Sequence, residues 1–332
     1  MEKPRVAILD DYQNLALELA DWSPVQKRCE VVVFDKHLSE EAAAEALGTF
    51  DAVCLTRERM AIPGSLLNRL PRLKFIAVTG PHNRTLDFEA ADRLGITVSC
   101  TPRPAQGQFA TAELAWGLIL GLARHIPKEA DNMRNGGWQH TVGMALAGRT
   151  LGLLGLGRLG SRMVPIAHAF GMEVIAWSQN LTEQTAQDLG ARRVEKEDLF
   201  RRSDFISLHL VLSERSRHTV GSRELAWMKP GAFLVNTARG ALIDRKALLQ
   251  ALQERRIAGA ALDTFEVEPL PPDDAFRDLD NVILTPHLGY TVQELLGPFY
   301  AATVQNLQAW LDGSPQRLLT ASHPRLTGQV TV

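Results

Sequence analysis

From Arg5 onward, short β-branched and apolar runs alternate with stretches whose apolar positions recur at helical spacing. Val6–Leu9, Val31–Phe34, Ala52–Leu55, Phe75–Val78 and Thr97–Ser99 make a first series of strands. A second series begins at Leu151 and continues through Val174–Trp177, Phe205–His209, Phe233–Asn236, Ala258–Leu262 and Val282–Leu284. Strands that alternate with helices predict βαβ units and parallel sheets. Between the series, Thr101-Pro102-Arg103-Pro104 interrupts regular structure and marks a domain boundary. Helices are predicted from about Ala110 to Arg124 and over Gln293 to Leu311, and the tail past Gly313 has few apolar residues. The apolar stretch Leu114 to Ala123 is about half of what a bilayer span needs, so it reads as a buried helix.

Composition narrows the class. A chain of 332 residues, 45% hydrophobic and 22% charged with formal net charge −2, is long enough for two ordinary globular domains. The absence of a basic excess argues against nucleic acid or an acidic membrane surface as a partner. Cys29, Cys54 and Cys100 are odd in number and lack CxxC spacing, so neither a disulfide framework nor a metal site is expected. They read as core thiols in a reducing compartment. The N-terminus enters a strand-like run at once, which leaves no room for a signal peptide, and a cytoplasmic location is expected.

The most informative motif is Gly155-Leu156-Gly157-Arg158-Leu159-Gly160. It follows the run Thr150-Leu151-Gly152-Leu153-Leu154 and opens a helix-like stretch that ends around Phe170. A bare GxGxxG string is more often a turn, but the strand, glycine turn, helix and next strand together predict a dinucleotide site. Glycines let the backbone approach a pyrophosphate, and unpaired helix N–H groups with the positive dipole end hold the anion. The first series has no such turn, so one half holds the cofactor and the other closes over a substrate.

In a wound parallel sheet, ligands bind outside the carboxyl ends of the strands. After successive strands of the second series come the glycine loop, Ser178, Thr237-Ala238-Arg239-Gly240, Asp263 with Glu266-Val267-Glu268-Pro269, and Thr285-Pro286-His287. Singly, Arg239 reads as a helix-capping cation, Glu268 as a solvated acid and His287 as a loop residue. Together on one sheet edge they predict chemistry at a bound coenzyme.

The blocks Leu153 to Gly160, Phe233 to Gly240, Ala261 to Pro269 and Leu284 to Gly289, in this order, resemble the family of D-isomer-specific 2-hydroxyacid dehydrogenases. The resemblance covers nearly the whole chain. It implies an α/β fold of two doubly wound parallel-sheet domains, with a Rossmann-type cofactor domain, residues 104–290, inserted into a flavodoxin-like substrate domain formed by 1–103 and 291–332. It also implies a homodimer, joined through the helix near Ala110 to Arg124 and the following arm with Trp138. By the same resemblance Arg239 binds the carboxylate of a small 2-keto acid and polarises its 2-keto oxygen, a task suited to a planar fork of donors. His287 protonates that oxygen, and Glu268 accepts from the other ring nitrogen, fixing the tautomer and favouring the protonated form. Formate dehydrogenases of the superfamily carry glutamine where Glu268 stands, which disfavours that activity.

The resemblance further assigns Asp263 to the nicotinamide carboxamide, Thr111 to the pyrophosphate, and Gly155, Gly157, Arg158, Leu159, Gly160, Ser178 and Thr237 to the cofactor. Thr79-Gly80-Pro81-His82 occupies the place of the family's glycine loop, whose backbone N–H groups hold the substrate carboxylate, but it departs from the Gly-x-Gly form. His82 reads as a shape determinant rather than a second catalyst. Arg57 and Arg59, just upstream, could meet an anionic substrate.

A carboxylate about twenty residues beyond the glycine loop normally repels a 2′-phosphate. Ser178 stands near that spacing, followed by Gln179 and Asn180, with no cation immediately after, and sequence does not place Arg192-Arg193. NADP or NAD is therefore expected, with NADP modestly preferred. The reading from another class is a dinucleotide-sensing binding protein or corepressor of the same fold.

Overall fold

A computed structural model of the chain describes residues 3–326. Two compact units result, Met1–Gln108 with Val292–Val332, and Phe109–Thr291. The chain changes unit at 108/109 rather than at 103/104, and at 291/292 on its return. The prolines do not mark the exit because the segment beyond them stays with the first unit: a Cβ on Gly107 would lie 2.9 Å from Leu295 in the returning helix Gln293–Leu311. The Thr101 amide donates to the Val78 carbonyl at 3.0 Å, and its hydroxyl accepts from the Gly80 amide at 2.7 Å.

The first unit is built on parallel strands β1 (Arg5–Leu9), β2 (Glu30–Val33), β3 (Ala52–Leu55), β4 (Phe75–Val78) and β5 (Thr97–Cys100). Their spatial order is β2-β1-β3-β4-β5, the flavodoxin-like winding, and Leu318–Leu319 adds a short antiparallel strand beside β5. Leu9, Leu55, Val78 and Cys100 are in register, so the residues that follow them line one carboxyl edge. The helix Gln293–Leu311 returns to this sheet. Trp310 stacks on Phe75 with ring centroids 5.1 Å apart, and Asn306 Nδ2 donates to the Cys100 carbonyl at 2.8 Å.

The second unit holds β6 (Thr150–Leu154), β7 (Glu173–Trp177), β8 (Arg192–Arg193), β9 (Phe205–Leu208), β10 (Phe233–Asn236), β11 (Gly259–Leu262) and β12 (Val282–Leu284). All seven are parallel, in the order β12-β11-β10-β9-β6-β7-β8. This is the dinucleotide-binding winding, extended by one strand. Both faces are covered, which explains why its strands read as continuous apolar runs. Leu151, Leu153 and Val235 pack with the helix Ala110–Arg124 on one face, while Leu154, Ile206 and Leu234 pack with the helix Arg245–Gln253 on the other.

The helices Ala110–Arg124 and Gln293–Leu311 coincide with the spans predicted from apolar spacing. Two short strands had no such signal. Arg192–Arg193 presents two cations instead of an apolar run; it pairs with Ile175 and Ala176, and Arg192 reaches Glu173 on the neighbouring strand. No helix among the described residues is long and apolar enough to cross a membrane.

Candidate active site

The glycine loop leaves β6 and turns back over β9. Gly155 has φ +105°, and a Cβ there would lie 2.8 Å from the His209 carbonyl carbon. A Cβ on Gly160 would lie 2.1 Å from the Gly155 oxygen, so these two glycines let loop, helix and neighbouring strand approach. Around Gly157, by contrast, a Cβ would meet nothing within 4 Å. That glycine borders open space at the start of the helix Gly160–Ala169, where a pyrophosphate fits. Thr237, at the end of β10, has a buried hydroxyl without a hydrogen-bond partner among the described residues. Open room and an orphaned polar atom on one sheet edge both suit a dinucleotide.

Ser178 follows β7, and the structure places the arginine pair that sequence left unlocated. Arg193 lies opposite Ala176, its Nε donates to the Leu181 carbonyl at 3.0 Å, and its Nη2 pairs with Glu195 at 2.9 Å. A guanidinium thus stands against the loop that begins at Ser178.

Strands β10, β11 and β12 are neighbours, with Asn236, Leu262 and Leu284 in register. The segments bearing Arg239, Asp263 with Glu268, and His287 therefore leave one edge side by side. Asn236, fully buried, shapes the first turn: its Nδ2 donates to the Arg239 carbonyl at 2.9 Å and its Oδ1 accepts from the Ala238 amide at 3.0 Å. Arg239 Nη1 donates to the Ala238 carbonyl at 2.8 Å. Gly240 lies so close to the next segment that a Cβ would stand 2.1 Å from the Phe265 carbonyl carbon. Only glycine allows the Arg239 turn to lie on the chain that leads to Glu268.

Glu268 is fixed at both oxygens. Oε1 accepts from the Phe265 amide at 2.8 Å, and Oε2 faces Nδ1 of His287 at 2.7 Å. Both side chains are part-buried, and Tyr290 meets the imidazole edge-on with centroids 5.3 Å apart. His287 has φ +53°, a left-handed backbone uncommon outside glycine. Asp263 holds that loop in place. Its Oδ1 accepts from Thr285 Oγ1 and from the Leu288 amide, each at 2.7 Å, and its Oδ2 accepts from the Gly289 amide at 3.0 Å. Burial pushes its carboxyl up, against the pull of these donors and of His287. Thr111 joins the same loop, donating to the Gly289 carbonyl at 2.6 Å. The structure thus gives Asp263 and Thr111 a bracing role that sequence, which read both as cofactor contacts, did not suggest.

At the carboxyl edge of the first unit, the loop Thr79 to His82 differs from the expectation of a backbone amide cradle. The Thr79 amide donates to the Leu55 carbonyl at 3.1 Å, the Gly80 amide to Thr101 Oγ1 at 2.7 Å, and Pro81 has no N–H. The Leu326 amide bonds the Pro81 carbonyl at 3.0 Å, and His82 bridges to Arg325. Burial, assisted by the Arg57 charge, lowers His82 to about 4, so the imidazole is neutral at physiological pH.

Comparison with known proteins decides the family. Residues 116–289 match the family model described as D-isomer specific 2-hydroxyacid dehydrogenase, NAD binding domain. The chain is 38% identical to a glyoxylate reductase of Aeropyrum pernix over 330 residues, covering 94% of each protein. The chain belongs to this family. It is also 36% identical to a hydroxypyruvate reductase of Thermotoga maritima, over 89% of this chain and 94% of that one. Among solved structures, a phosphoglycerate oxidoreductase from Vibrio cholerae O395 superposes with a TM-score of 0.87 at 35% identity, covering 94% of this chain and all of the other.

As an NAD(P)-dependent 2-hydroxyacid dehydrogenase, the chain acts with a dinucleotide on an organic acid. Sequence reasoning missed the supports, namely Asn236, Thr285, Tyr290 and the Arg193 side chain. An asparagine ending a buried strand was the available signal for the first, since a buried amide must bond local backbone. Nothing in the spacing pointed to Tyr290.

Proposed function

We propose that this dehydrogenase reduces a small 2-keto acid, of the glyoxylate or hydroxypyruvate kind, to the D-2-hydroxy acid. The 2.7 Å pair of His287 with Glu268, on the same edge as Arg239, carries this reading. When bound, a reduced nicotinamide would supply the hydride that C2 of the substrate accepts. Arg239 holds the carboxylate and draws electron density toward the 2-keto oxygen with a planar fork of donors. Glu268 engages Nδ1, so the proton delivered to that oxygen comes from Nε2 of His287. The carboxylate balances the charge of the imidazolium before transfer, and afterwards the neutral ring keeps its Nδ1 proton. Gly155, Gly157 and Gly160 with Arg158 and Leu159 form the pyrophosphate turn, and Thr237 offers its unpartnered hydroxyl to the coenzyme.

Both coenzymes are accepted, with NADPH modestly preferred. Ser178 brings no negative charge to the ribose position, and Arg193 stands beside the loop that follows it. The enzyme works as a homodimer in the cytoplasm, a setting that suits its three free, buried cysteines. The helix Ala110–Arg124 is largely buried within its own unit, whereas Ile126, Met133, Trp138 and Val142 beyond it are exposed. The subunit contact therefore centres on the helix Ile126–Arg134 and the arm after it. Purified protein with NADH or NADPH and a panel of 2-keto acids, followed by nicotinamide absorbance, tests the reaction. Turnover of glyoxylate or hydroxypyruvate is expected, and no turnover on any member overturns the reading in favour of a dinucleotide sensor.

A further inference from the structure

At the first unit's carboxyl edge the first three positions of the loop Thr79 to His82 offer no free backbone donor, yet a cation stands beside them. The Thr79 and Gly80 amides are spent on Leu55 and Thr101, and position 81 is proline. Directly against Gly80 lies the Arg57 guanidinium, so close that a Cβ on Gly80 would stand 1.6 Å from Nη1. Arg57 Nη1 donates to the Thr79 carbonyl at 2.9 Å, and the guanidinium carbon sits 5.8 Å from the centre of the buried Phe299 ring.

The backbone there is shaped to hold this side chain. Arg57 has φ +56°, a left-handed conformation that costs free energy outside glycine and clusters at functional positions. Two side chains maintain it. Thr79 Oγ1 accepts from the Arg57 amide at 2.6 Å, and Asn83 Nδ2 donates to the Arg57 carbonyl at 3.2 Å. Both belong to the loop in which the Thr79 and Gly80 amides are occupied. That loop is itself pinned from outside by the Leu326 amide on the Pro81 carbonyl. His82, next along, is kept neutral by burial and by Arg57, so it adds no competing charge.

From this we infer that the anion contact of the first unit is the Arg57 guanidinium, which takes over the carboxylate-holding task that backbone amides at Thr79 and Gly80 would otherwise perform. The inference rests on the reading that this unit binds the carboxylate of a 2-keto acid. A planar fork of donors suits a carboxylate better than a single ammonium. It also makes recognition dependent on one replaceable side chain. A backbone cradle would survive side-chain substitutions other than proline.

The test is calorimetric titration of the full chain, saturated with NADPH, by oxamate, a 2-keto-acid analogue that is not reduced. Arg57→Ala is expected to weaken oxamate by about tenfold or more, with partial recovery when millimolar guanidinium chloride is added and with NADPH affinity unchanged. Arg57→Lys, which keeps the charge and the stem, should fall between the two. Gly80→Ala should also weaken oxamate, by displacing the guanidinium without removing it. Oxamate affinity unchanged in Arg57→Ala, or lost in that variant without any recovery by guanidinium, overturns the inference. So does wild-type protein that binds no oxamate. The titration is independent of turnover, so a chain that binds oxamate through Arg57 but reduces no 2-keto acid would sink the proposed reaction and leave this contact standing.

Discussion

His287 sets Nδ1 against Oε2 of Glu268 at 2.7 Å from a left-handed backbone, while the other oxygen of that carboxylate is tied to the Phe265 amide. The imidazole is thus aimed by two independent restraints. An aimed acid contributes mainly in the transition state, so removing it should lower turnover and spare ground-state binding. Asparagine adopts positive φ more readily than alanine, which makes His287→Asn the cleaner variant. Its kcat should fall by about a hundredfold or more with NADPH affinity near wild type. Steady-state kinetics and fluorescence titration check this, and full activity in the variant removes the proposed acid.

Glu268→Gln separates charge from position. Glutamine keeps an acceptor for the Phe265 amide and a partner for the imidazole, but it cannot balance an imidazolium. A loss of about tenfold or more in kcat/KM is expected, with an unchanged melting temperature. A fall in melting temperature that accounts for the whole loss would assign Glu268 to structure alone.

The parts of this architecture that were legible in the chain are those that depend on burial. Val53, Ile76, Leu153 and Val235 lie on strands covered on both faces, and such strands must be apolar throughout. The glycine loop was equally readable, because Gly155 and Gly160 occupy places where a Cβ would collide with backbone. Arg192–Arg193 was not readable, since an edge strand of two residues forms by pairing with Ile175 and Ala176 and carries no apolar run. Nor were the second roles of polar residues. That Asp263 braces Leu288 and Gly289, or that Thr101 takes the Gly80 amide, depends on loops meeting in space, and no spacing along the chain encodes it. The domain exit shows the same limit: prolines signal a break in regular structure, but the approach of Gly107 to Leu295 keeps the segment beyond them with the first unit.

Coenzyme choice turns on Ser178. An aspartate there would place a negative charge against a 2′-phosphate while offering ribose hydroxyls an acceptor. Ser178→Asp should lower kcat/KM for NADPH by about tenfold relative to NADH. Wild-type kinetics with both coenzymes form the baseline. A strong wild-type preference for NADH, or an unchanged ratio in the variant, contradicts the assignment.

The exposed apolar residues beyond Arg124 predict a mass change. Trp138 is 72% exposed and Val142 94% exposed in the single chain, a surface that association would cover. Replacing both with aspartate should convert a dimer to monomer in multi-angle light scattering, since a buried unpaired charge on each copy is costly. A wild-type monomer, or a double variant that stays dimeric, places the subunit contact elsewhere or removes it.

Acid should weaken the fold through two histidines. Burial lowers His209 and His82 to about 4, His209 beneath the glycine loop and His82 beside Arg57. In the unfolded chain both return to about 6.5. Between these values the unfolded state takes up protons that the folded state refuses, so stability falls as pH drops from about 6.5 toward 4. Asp10 and Asp263 act in the opposite direction: burial raises their carboxyls, so the folded state keeps protons that the unfolded state has already released. Acid therefore favours the folded state at those two positions. Their effect runs down to the ordinary carboxyl value of 3.8 and is common to wild type and variant, so across the window of about pH 6.5 to 4 the difference between the two proteins isolates the histidines. Melting temperature should decline across it in the wild type and decline less in a His209→Gln, His82→Asn double variant. Equal slopes in the two proteins would mean that neither imidazole is held neutral by the fold, and with that the account of His82 as an uncharged neighbour of Arg57 would fall.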